Sequence, residues 1–147
     1  MTTWQEAVSE DPNMCFGCGR DNPIGLKLSF ERDGQGVRTE FTPTELYQGW
    51  RGMVQGGIIA TMLDEAASHA IMFDGMNPVT AKMEIRFRQP ALIGEPLTLT
   101  GHVTRKTSRR VEARAAITNK DGRLIAESIS TFVVVEAEPG GAADAGR

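Results

Sequence analysis

The 147-residue sequence predicts an α+β domain: an antiparallel sheet wrapped around one long central helix. Three observations predict it. Residues 57–73 place apolar side chains nearly all round a helical wheel, the pattern of a helix covered on every side. The segments on either side of it alternate apolar and polar residues at the period of a strand. Turns rich in Gly, Asn and Asp separate those segments at hairpin spacing.

Bulk properties narrow the function classes. The chain is long enough for one domain with a real core. Its net charge is -3 and it has no basic arm, so no nucleic-acid partner is expected. No apolar run approaches the ~20 residues that span a bilayer, so no membrane partner is expected either. The first residues lack a basic stretch followed by an apolar one, and the expected location is cytoplasmic.

Taken in order, Trp4 and Val8 suit a short helical turn over 4–10, and residues 1–25 otherwise read as a loop segment dense in Gly, Pro and Asn. Leu26, Leu28 and Phe30 alternate with Lys27 and Ser29, which predicts a strand. Asp33-Gly34-Gln35-Gly36 turns it into a second strand through Val37, Thr39 and Phe41. A connection with Tyr47, Gln48, Gly49 and Trp50 leads to the helix, and Asp74 to Pro78 are expected to end it. A four-strand meander is expected to follow: about 82–88, 97–105, 111–118 and 124–135, with Asn119 to Gly122 as a hairpin turn. The domain is thus placed at 26–135, with a disordered Gly- and Ala-rich tail at 136–147.

Chemistry concentrates on the helix. Its start, Gln55-Gly56-Gly57, presents backbone N–H groups and a partial positive charge, suited to a carbonyl oxygen or developing oxyanion. The glycine pair equally serves as a tight turn into the helix. Asp64 stands in mid-helix, where a buried acid must be paired or used. Ser68 or the backbone could satisfy it. Asp64 lies about 12 Å along the axis from Gly56, so one carbonyl cannot touch both in one chain. If both act on one substrate, a homodimer with two sites is required, and two such dimers can pair into a homotetramer. Glu65 is a rival acid about 100° round the helix, with His69 one turn later to pair with it. Arg105, Lys106, Arg109 and Arg110 form either a solvated hairpin tip or a contact for phosphates.

Cys15 and Cys18, in Cys-Phe-Gly-Cys-Gly, supply half a metal site, while four ligands are needed. His69 and His102 are far away in sequence, so no metal and no other cofactor is expected. Turn residues follow the first Cys where a redox pair needs a helix. The expectation is a structural turn with two small thiols.

The run from Val54 to Ala66, Val-Gln-Gly-Gly-Ile-Ile-Ala-Thr-Met-Leu-Asp-Glu-Ala, resembles the signature of hotdog-fold thioesterases of the phenylacetate-pathway type. The likeness extends over residues 15–135. It takes in the Cys15–Cys18 segment with Asn22-Pro23-Ile24-Gly25-Leu26, then Gln48-Gly49-Trp50, Val79-Thr80, Arg86 to Pro90 and Asp121-Gly122. The resemblance implies a hotdog fold and hydrolysis of acyl-CoA thioesters without cofactor. It implies that the Gly56 N–H polarises the thioester carbonyl, with Gly57 beside it at the substrate. It implies that Asp64 of the other subunit acts as nucleophile or general base, and that Thr80 helps hold the water. The family's His before the glycine pair is Gln55 here, and Gly49 stands near the place of a family Asn. Gln55 can donate a hydrogen bond but cannot move a proton. Three other readings remain: a non-catalytic acyl-CoA-binding or sensing protein, a dehydratase or hydratase on acyl thioesters, and a redox or zinc module on the cysteines.

Overall fold

A computed structural model describes residues 13–136. The expected helical turn at 4–10 and the tail beyond Glu136 lie outside the described residues. The central helix, α1, runs Gly56–Met72. Six strands surround it: β1 (Glu31–Asp33), β2 (Gly36–Phe41), β3 (Met76–Phe87), β4 (Leu97–Lys106), β5 (Arg110–Thr118) and β6 (Leu124–Glu136). They form one antiparallel sheet in the order β1-β2-β4-β5-β6-β3. One helix enclosed by one antiparallel sheet is the hotdog arrangement the sequence predicts.

The core is the helix against the inner face of the sheet. Met62, Leu63, Ala66, Ala67 and Ile71 are fully buried, and so are Leu99, Ala113, Ile117 and Phe132 opposite them. Small residues let helix and sheet come close. At Gly101 of β4 a Cβ would lie 2.2 Å from the carbonyl oxygen of Ala66, so only glycine permits that approach. Asn119 shapes the β5–β6 turn as expected: its Oδ1 accepts from the N–H groups of Asp121 and Arg123, both at 3.0 Å.

Three elements differ from the sequence expectation. Leu26, Leu28 and Phe30 are buried and alternate with exposed Lys27 and Ser29, yet ladder pairing begins only at Glu31. Their backbone is tied instead to the preceding loop, where the N–H groups of Leu26 and Leu28 donate to the carbonyls of Phe16 and Gly17. Asn77 and Pro78 belong to β3 rather than to a turn. Proline is admissible there because β3 is an edge strand. Finally, β3 lies beside β6, not beside β4, so only β4, β5 and β6 form a meander. The connection 88–96 carries the chain across to the far side, where β4 pairs with β2.

Candidate active site

α1 begins at Gln55, whose extended backbone and side chain cap the helix. Its Oε1 accepts from the N–H groups of Gly57 and Ile58. Both contacts are donors, so the amide oxygen and not the nitrogen must face the helix. The Gly57 N–H is therefore occupied, while Gly56 has no such bond and is exposed. Gly56 opens onto a cleft of about 570 Å³ lined by Trp50, Met53, Gln55, Ile59, Phe87 and Pro90. Trp50 is 84% exposed and Phe87 59%, apolar surface that a lone chain leaves in water.

Asp64 occupies a different place. It sits two turns further along α1, half-buried, and accepts a 2.7 Å hydrogen bond on Oδ1 from the Thr80 hydroxyl. Thr80 lies on β3, the edge strand, next to a register shift in its pairing with β6. Burial pushes the Asp64 carboxyl above its ordinary range; the Thr80 hydrogen bond opposes that, and the neighbouring Glu65 adds to it. The result is a stronger base than a free aspartate, presented beside an open sheet edge. Asp64 and Thr80 do not line the cleft at Gly56, so one chain brings Asp64 and Thr80 together but not Asp64 and Gly56.

Glu65 points elsewhere. Its Oε1 accepts from the Cys15 thiol at 3.6 Å, and its Oε2 lies 3.3 Å from Nε2 of His69. Phe30 stacks on the His69 ring at 4.7 Å. Both cysteines are free. The Cys15 thiol is held at about 6, chiefly by a hydrogen bond from Cys18 and also by backbone N–H groups of the Cys18 and Gly17 peptides, against burial. The Cys18 thiol is pushed up by Cys15 and by burial. Of this cluster the sequence pointed only to the approach of His69 to Glu65; the cysteines beside Glu65 and the capping by Gln55 were not visible in it. The signal for the cluster was the Cys-Phe-Gly-Cys turn itself, which no linear spacing linked to Glu65.

Arg105 and Arg109 are exposed near the β4–β5 turn. Lys106, Val111, Phe132 and Thr80 form one cross-strand row, so this turn is level with Thr80 but three strands away. That is about 14 Å at ~4.8 Å per strand. His102 is exposed on β4.

Fold and site together define a hotdog domain with an aspartate in mid-helix and a glycine pair at the helix start. Residues 51–126 match the thioesterase superfamily, and the chain belongs to that family. It is 34% identical over 83 residues to mouse acyl-coenzyme A thioesterase 13, covering 54% of this chain and 59% of that one. The matched segment therefore spans about three-fifths of that relative's length. A solved thioesterase superfamily protein superposes with a TM-score of 0.76 at 30% identity, covering 85% of this chain and 63% of the other. A hypothetical thioesterase from Streptococcus pneumoniae, solved with coenzyme A, shares the fold at a TM-score of 0.70 and 20% identity, covering 74% and 89%.

Proposed function

We propose that this protein hydrolyses acyl-CoA thioesters to free acid and CoA in the cytoplasm, at sites shared between the subunits of a homodimer. The observation that carries the reading is the Asp64–Thr80 pair: a carboxylate of raised basicity beside an unpaired sheet edge. In this reading the edge strands β3 of two chains meet and bring Gly56 of one within reach of Asp64 of the other. The Gly56 N–H donates a hydrogen bond to the thioester carbonyl oxygen, and the helix N-terminus stabilises the oxyanion. Asp64 takes a proton from water, which attacks the carbonyl carbon, or attacks it directly. Thr80 orients the Asp64 carboxylate and the water. In the first case the proton held by Asp64 passes to the departing sulfur, and CoA leaves as the thiol with the free acid; in the second CoA leaves as thiolate, takes a proton from water, and a further water hydrolyses the acyl–aspartyl anhydride to free acid and the regenerated carboxylate. Arg105 and Arg109, level with Thr80, meet the nucleotide phosphates. Glu65, the rival acid, is not the base in this reading, because its carboxylate is held against Cys15 and His69. Two such dimers back to back give the homotetramer.

Support comes from family membership, from the name of the mouse relative and from the coenzyme A bound to the S. pneumoniae protein. Among the described residues, no helix is long and apolar enough to cross a membrane. The test is thiol release from short, medium, long and aromatic acyl-CoAs by wild type and Asp64→Asn. Release by the wild type alone establishes the enzyme and its acid. Equal release by both removes Asp64 from the mechanism. One observation favours a second reading, a non-catalytic acyl-CoA sensor. Gln55 keeps its oxygen on the helix N–H groups, and its amide cannot transfer a proton. Acyl-CoA binding without any thiol release identifies that case.

A further inference from the structure

The cysteine turn, Glu65 and His69 converge where neither the fold nor the proposed hydrolysis requires it. Cys15 Sγ, Cys18 Sγ and a Glu65 carboxylate oxygen all lie within 4.8 Å of one another. Three atoms so spaced leave a point within about 2.8 Å of each, close to the ~2.3 Å of a zinc–sulfur bond and the ~2.0–2.2 Å of a zinc–oxygen bond. Cys18 is buried, Cys15 is half-buried, and the Glu65 side chain is 13% exposed. Among the described residues, His69 is the basic side chain within 4 Å of Glu65. It is 1% exposed, and neither ring nitrogen has a hydrogen-bond partner, because the 3.3 Å approach to Oε2 is misdirected for one. A buried imidazole left in that state is costly. Backbone geometry also serves the cluster. Gly17, between the two cysteines, is pressed against Glu65: a Cβ there would lie 2.3 Å from the Glu65 Cδ. The turn closes with the Gly19 N–H on the Cys15 carbonyl at 2.9 Å.

We propose that Cys15, Cys18 and Glu65 bind one zinc ion per chain, pinning the N-terminal loop to the central helix, with His69 positioning Glu65. Two thiolates with a carboxylate select a borderline-soft divalent cation over magnesium or calcium. With Oε1 on the metal, Oε2 takes a hydrogen bond from His69, and the orphaned ring gains a partner. Water fills the fourth position. The ion is structural and touches no substrate, so the inference stands apart from the proposed hydrolysis.

The experiment uses the full chain, reduced and kept anaerobic, titrated with Zn2+ alone and with Co2+ alone. Elemental analysis, cobalt–thiolate charge-transfer absorption and competition with a chelating dye are read. One ion per chain with the thiolate absorption is expected. Cys15→Ser and Cys18→Ser each lose the absorption and stoichiometric binding. His69→Gln weakens binding about tenfold or more, the effect of losing a ligand's outer partner, while His102→Gln binds as wild type. If a cysteine variant fails to fold, X-ray absorption of the zinc-loaded wild type decides between two sulfur neighbours and none. No stoichiometric uptake by the folded, reduced wild type would overturn the proposal. So would binding that survives both cysteine changes, or zinc with no sulfur neighbour.

Discussion

Replacing Gly101 by alanine tests the contact that sets the distance between helix and sheet. The new Cβ would lie 2.2 Å from the Ala66 carbonyl oxygen, 2.6 Å from its carbon and 3.2 Å from the Ala67 nitrogen. All three are backbone atoms in the middle of α1, so no side chain can swing aside. Ordinary contact begins near 3.4 Å, and the helix must therefore retreat from β4 by about 1 Å, the scale at which misplacement of a reacting group becomes costly. Overpacking of this kind costs about 1–3 kcal/mol. The same shift acts on Asp64, half a turn from Ala66, whose 2.7 Å bond to Thr80 on β3 cannot follow a helix lifted from β4. Misplacement by 1 Å can cost about a hundredfold in rate. The assays are thermal or denaturant unfolding and thiol release from the best acyl-CoA. An alanine variant with unchanged stability and unchanged turnover would refute the claim that this contact seats the helix. Lost stability with full turnover would separate the packing from the placement of Asp64.

The pH dependence of wild-type turnover should show an acid limb above the ordinary aspartate range, because the Asp64 carboxyl is raised and must be ionised to act. For stability the sign is opposite: a raised acid favours folding most below its unfolded value, and that contribution is lost as pH rises through the folded value. Asp64→Asn should thus be at least as stable as wild type at neutral pH, with the difference vanishing in acid; unfolding at several pH values checks this. Thr80→Val removes the one hydrogen bond that lowers the Asp64 pKa, so the acid limb should move to still higher pH. A pH–rate profile that does not move would take Thr80 out of the site. Gln55→Ala removes the helix cap and should cost about 1 kcal/mol of stability, measured by denaturant unfolding. Because it also frees the Gly57 N–H, turnover should fall less than with Asp64→Asn.

By itself the sequence determined the parts whose physics is local. The helix is legible because apolar residues recur all round it between Gly56 and Met72. The hairpins are legible from Gly34 and from Asn119, whose side chain makes the turn without help from the rest of the chain. The candidate acid is legible because a carboxylate in an apolar helix is out of place, and the long resemblance supplied its family. Tertiary structure decided what depends on which surfaces meet. Alternation placed Leu26, Leu28 and Phe30 inward but could not say that their backbone bonds go to the 16–17 loop rather than to a strand. It identified β3 as a strand but not as the edge beside β6, since strand order is set by how the sheet closes round the helix. Fifty residues separate Cys15 from Glu65, and only the packing of the N-terminal loop on the central helix joins them. Side-chain periodicity reports which face of an element is buried; it carries no record of the partner that buries it.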